Sequence, residues 1–79
     1  MSYEEAQQRF ARRIVGLRED AGLTVRDFCA KCGISLPAYN YYVNRGGMPN
    51  LYTAMAIAGA FGLTLDQLIG IKGGAAKRG

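Results

Sequence analysis

The 79-residue chain has no histidine and no tryptophan, and only two cysteines and two prolines. Without histidine it lacks the side chain that most often acts as a general base near neutral pH. No serine, cysteine or aspartate can be given a histidine partner, so a histidine-dependent nucleophilic triad is excluded. Cys29 and Cys32 form a C-x-x-C pair. A closed zinc site needs two further Cys or His ligands, and one copy of the chain has none to offer. No apolar run approaches the ~20 residues of a membrane span. The start, Met1-Ser2-Tyr3-Glu4-Glu5, is acidic and polar, unlike a signal peptide. The expectation is a cytoplasmic protein with no membrane partner and with free thiols. No acid–base pair, phosphate loop or metal cluster emerges either. No enzymatic activity, cofactor, metal or small-molecule substrate is therefore expected.

What is present is apolar residue in quantity, 49% of the chain, enough for one core and too much for wholesale disorder. The length fits a single domain, which at this size buries only about 60% of its unfolded surface. Ten Lys and Arg against six Asp and Glu give a formal charge of +4. That balance suits a polyanionic partner and equally serves solubility.

Five helix starts carry their own caps. Ser2 with Glu5 reads as a capping box, followed by Phe10, Ile14, Leu17 and Ala21 at helical spacing and by Gly22 as a stop. This places a first helix at about 3–21. Thr24 with Asp27 reads as a second box, and Val25, Phe28, Cys29 and Cys32 form one apolar face of a helix over about 25–32, stopped by Gly33. Ser35 caps a third helix over about 36–44, with Pro37 in its first turn. Tyr39, Tyr42 and Val43 share one side of it. Pro37, Asn40, Tyr41 and Asn44 share the other. Asn50 opens a fourth helix over about 51–61. Thr64 with Gln67 opens a short fifth over about 65–69. Residues 70–79 are glycine-rich and basic, and read as a flexible tail. The whole is an all-α, four- to five-helix domain over 1–69.

Two short helices joined by Gly33-Ile34-Ser35 form a unit that sets a second helix near a right angle to the first, free to lie in a major groove about 12 Å wide. The runs Arg13-Ile14-x-x-Leu17-Arg18, Gly22-Leu23-Thr24 and Phe28-Cys29-x-x-Cys32-Gly33-Ile34-Ser35 resemble the lambda-repressor-like helix-turn-helix family of phage repressors and Cro. So do Pro49-Asn50-Leu51, Ile57-Ala58 and Phe61-Gly62-Leu63-Thr64-Leu65-Asp66-Gln67-Leu68. The resemblance spans about residues 10–69. It implies a DNA-binding transcriptional regulator of phage or mobile-element type, acting as a repressor or activator on double-stranded DNA, with a homodimer as one arrangement. The base-edge candidates it implies are Leu36, Pro37, Asn40, Tyr41 and Asn44. Asn40 suits a two-bond pairing with adenine, Tyr41 a thymine methyl or a phosphate, and Leu36 and Pro37 apolar contact alone. The phosphate candidates are Arg18, Arg26, Arg45 and the backbone N–H groups of Gly46 and Gly47.

Three positions depart from the family pattern. Val25 stands where glutamine is common, Val43 where a glutamate pairs with the arginine of the first helix, and Arg45 where glycine is usual. A second reading therefore stands beside the first: a protein-interaction module, antitoxin-like or anti-repressor, using the apolar edge of Leu36, Pro37 and Tyr41. A third gives the tyrosines to single strands or RNA.

Several other features have more than one reading. Cys29 and Cys32 suit core packing, a redox pair or a metal shared across a dimer. Tyr39 and Tyr42 suit the core or a stacking platform. Arg9, Arg12, Arg13 and Arg18 suit a solvated face, with Glu5 and Arg9 paired at i, i+4, or nucleic-acid contact. Lys72, Lys77 and Arg78 suit solubility or non-specific attraction. Met48, Tyr52, Leu68, Ile69 and Ile71 suit a dimer contact, with the monomer core as the other reading for Leu68 and Ile69.

Overall fold

Each helix begins where a short polar side chain satisfies an orphan backbone donor. The structure, a computed structural model, describes residues 2–70, which form α1 (Tyr3–Asp20), α2 (Val25–Cys32), α3 (Leu36–Asn44), α4 (Leu51–Ala60) and α5 (Leu65–Ile69). Ser2, Thr24, Ser35, Asn50 and Thr64 accept from the backbone N–H three residues on. Glu5 and Gln67 return the bond to Ser2 and Thr64, completing two capping boxes. Asp27 returns none to Thr24, so the expected second box is half formed. Its side chain is one methylene shorter than the Glu or Gln that closes the motif.

Three connectors turn the chain with one repeated unit: Gly22-Leu23-Thr24, Gly33-Ile34-Ser35 and Gly62-Leu63-Thr64. The glycine lies in the left-handed region, as at Gly33 with φ of 71°. An L side chain there is strained, which is why glycine holds the position. The next residue is an apolar plug packed on the core. Its N–H reaches back five residues, Leu23 to Arg18, Ile34 to Cys29 and Leu63 to Ala58, closing the helix end. The third residue caps the following helix. These ends place the last helical residues at Asp20 and Ala60, with Ala21 and Phe61 as caps rather than helix.

The core draws on all five helices: Phe10 and Ile14, Phe28, Cys29 and Cys32, Tyr39 and Tyr42, Ala54, Ile57 and Ala58, and Leu68. Edge-to-face contacts of 5.6 Å join Phe10 to Tyr42 and Phe28 to Tyr39, and Phe61 stacks on Phe28. Such pairs add directional preference to burial. Two of these rings belong to α3, so the inner side of that helix is fixed by α1 and α2.

Candidate nucleic-acid interface

The burial of α3 alternates sharply. Tyr39 and Tyr42 are buried and Ala38 and Val43 partly so, while Leu36, Pro37, Asn40, Tyr41 and Asn44 are exposed. The five base-edge candidates therefore share one outward surface. Leu36, Asn40 and Asn44 stand four apart and form one column; Pro37 and Tyr41 form a second beside it. The Asn44 amide donates to Asn40 Oδ1 at 3.3 Å, tying the two polar groups together. No residue of α3 is charged.

The loop after α3 is built around Tyr41. Its ring lies directly against Gly47, where an added Cβ would stand 2.1 Å from a ring carbon. The Tyr41 carbonyl accepts from the N–H groups of Arg45 (3.2 Å) and Gly47 (2.9 Å). Gly47 is buried and its donor is spent inside the turn, which removes it as a phosphate contact. Gly46, with φ of 72° and partly exposed, makes no backbone hydrogen bond to another described residue. The side chains of Arg26 and Arg45 are exposed and join no described partner by hydrogen bond or ion pair.

Arg18 is engaged internally. Its Nε donates to the Tyr39 hydroxyl (3.0 Å), Nη1 to the Leu23 carbonyl (2.9 Å), and Nη2 stands 3.6 Å from Glu19. Two of the three nitrogens are thus committed within the domain, and the side chain is only 22% exposed. Tyr39 supplies the partner that Val43 does not. Val43 instead lines a shallow groove with Ala11, Arg12 and Val15. Sequence reasoning weighed Tyr39 as core or stacking platform and missed the partner of its hydroxyl; the only signal was an aromatic residue with a polar tip on the inner side of α3.

The other arginines of α1 divide in the same way. Arg13 donates to the carbonyls of Leu68 and Gln67, and Arg9 to that of Gly70 at 2.6 Å. Cations there complement the carbonyl end of α5. Gly70, where the tail was expected to begin, is the C-cap of α5; the rest of that segment, with Ile71, Lys72, Lys77 and Arg78, lies outside the described residues. The expected Glu5–Arg9 pair does not form, because Glu5 turns back to the Ser2 N–H and Arg9 reaches to Gly70.

The thiols of Cys29 and Cys32 are buried and unbridged. Burial pushes the Cys32 thiol up to about 11 and raises Cys29 as well, away from the thiolate form that reacts or ligates metal. Leu68 is fully buried and Met48 packs on the core, whereas Tyr52 is 82% exposed beside exposed Leu51 and Met55.

One long and four short helices with a glycine turn between α2 and α3, and an outward polar-apolar row on α3, define a helix-turn-helix domain of the DNA-binding class. A family model described as helix-turn-helix matches residues 16–68. The chain belongs to that family, the lambda-repressor-like one its sequence resembles. No curated protein and no solved structure matches it significantly. No helix among the described residues is long and apolar enough to cross a membrane.

Proposed function

We propose that this protein is a transcriptional regulator that lays α3 in the major groove of duplex DNA and blocks or recruits polymerase by occupying an operator. The observation that carries the reading is the outward row of Leu36, Pro37, Asn40, Tyr41 and Asn44 on a helix whose other side is locked in the core. Arg26 at the start of α2, Arg45 at the end of α3 and the Gly46 N–H flank that row and suit phosphates. As a homodimer the protein would engage half-sites about 34 Å apart.

The test is a fluorescence-anisotropy titration of the full chain against labelled duplexes at two salt concentrations. Binding that weakens steeply as salt rises is the expected result. Arg45→Ala should weaken binding on all sequences alike and reduce the salt slope by about one, with the melting temperature unchanged. No binding to any duplex at low salt overturns the reading.

A further inference from the structure

The base chemistry that α3 can address is restricted by what its outward surface carries. In the major groove, guanine is met most often by Arg or Lys, and the cytosine amino group by Asp or Glu. Residues 36–44 contain neither sign of charge. Adenine presents an acceptor at N7 and a donor at N6, which an amide side chain meets with two bonds. Asn40 is the amide at the centre of the row. Its Oδ1 already accepts from Asn44 Nδ2 at 3.3 Å, which orients the amide plane and leaves its own Nδ2 and the second Oδ1 lone pair unspent. That is one donor and one acceptor, side by side.

The neighbouring groups are apolar. Leu36, half-exposed, stands one turn before Asn40 in the same column. Pro37 and Tyr41 make up the second column, and the Tyr41 ring lies against Gly47. Apolar side chains in the major groove meet the thymine 5-methyl, which no other base carries. The column from residue 36 to 44 is roughly 12 Å long at 1.5 Å per residue, or three to four base pairs at about 3.4 Å each.

Resting on the reading of α3 as a major-groove element, we infer that this helix selects a run of A·T pairs: adenine opposite Asn40, thymine methyls against Leu36, Pro37 and Tyr41, and no guanine contact from the helix. Asn44 is a positioning residue that orients Asn40.

The experiment is selection of bound duplexes from a random pool with the full chain, followed by single-atom changes in the winning site. A core of A·T pairs is expected in each half-site. Replacing the adenine opposite Asn40 with 7-deazaadenine, which removes N7, should weaken binding roughly ten- to hundredfold. Replacing a contacted thymine with uracil, which removes the methyl, should weaken it roughly fourfold. In Asn40→Ala the 7-deazaadenine penalty should vanish, with the helical circular dichroism unchanged because Asn40 is exposed. Asn44→Ala should retain a reduced part of it. A selected core with a fixed G·C pair, weakened by 7-deazaguanine, overturns the inference and leaves the DNA-binding reading standing. Indifference to uracil and 7-deazaadenine overturns it too, because composition alone would then be read through duplex shape. A pool from which nothing is retained at low salt overturns the functional reading itself, and the inference with it.

Discussion

α1 and α3 contrast in charge and in the use made of it. α1 carries four of the chain's arginines, whereas α3 has no charged residue at all. Cation content by itself would assign the nucleic-acid surface to α1, although its four arginines are matched in number by Glu4, Glu5, Glu19 and Asp20. Yet three of its four guanidiniums are bound within the domain: Arg9 and Arg13 at the carbonyl end of α5, and Arg18 on Tyr39 and Leu23. The uncharged helix presents the free surface. A cation bonded to its own backbone is structural, and a net charge counts it the same as one facing solvent. In this chain Lys72, Lys77 and Arg78 account for three of the ten cations, so the domain itself is nearer neutral than the total suggests.

The contrast is most exposed to failure at Arg18. Replacing it with alanine leaves the Tyr39 hydroxyl and the Leu23 carbonyl without their donor at a part-buried site. Hydrogen bonds from a charged donor are worth about 1.5–3 kcal/mol. Arg18→Ala should therefore lower stability by about 2–3 kcal/mol, seen as a melting-temperature drop on the order of 10 °C. Arg18→Lys should recover only part of this, since a single ammonium cannot serve two acceptors with the geometry of a guanidinium. Tyr39→Phe should cost about 1 kcal/mol and be non-additive with Arg18→Ala. Unchanged melting combined with weakened DNA binding would move α1 to the interface and reverse the contrast.

The two kinds of feature also differ in how far the sequence revealed them. The connectors are local: glycine, an apolar plug and a hydroxyl cap lie within three residues, and each does its work against residues at most five away. Most helix ends, the all-α class and the outward row of α3 were legible for that reason, while Ala21 and Phe61, expected within helices, are caps. The Thr24–Asp27 box was overread by one methylene, since spacing says nothing about reach. The destinations of the arginines were not legible. Arg18 finds Tyr39 21 residues away, and Arg13 finds α5 more than 50 residues away. These partners exist only after α1 has packed on α3 and α5. At the candidate interface the exposed side chains were readable from helical spacing. The spending of the Gly47 N–H on the Tyr41 carbonyl depended on a turn with no such repeat.

That turn supplies a smaller test, on the α3 side of the contrast. In Gly47→Ala the new methyl would overlap the Tyr41 ring, so the ring must leave or the loop must shift. Overpacking typically costs about 1–3 kcal/mol, and the low end applies here because Tyr41 is half-exposed and free to rotate away. Gly47→Ala is expected to cost about 1 kcal/mol in urea denaturation. In the Tyr41→Ala background the same change should cost almost nothing. If the two single effects simply add, the ring does not rest on Gly47, and the second column of the α3 surface is not pre-positioned.

A last comparison asks whether α2 keeps its reactive groups inside as α1 keeps its guanidiniums. The Cys32 thiol holds its proton to about 11 because burial disfavours the thiolate, against an ordinary value of 9.0. Between those values the folded chain binds more protons than the unfolded one, so rising pH favours unfolding. The stability owed to Cys32 is therefore complete below about pH 9 and is lost as pH climbs through 11. Urea midpoints measured from pH 8 to 11 should fall, and the fall should be shallower in Cys32→Ala, whose midpoint starts lower from the lost core volume. At pH 7.5 a thiol-specific alkylating reagent should label Cys29 and Cys32 far more slowly in the folded protein than in urea. Labelling at equal rates would mean that the pair is open to oxidants, and would give the C-x-x-C spacing of α2 a chemical use that burial otherwise denies it.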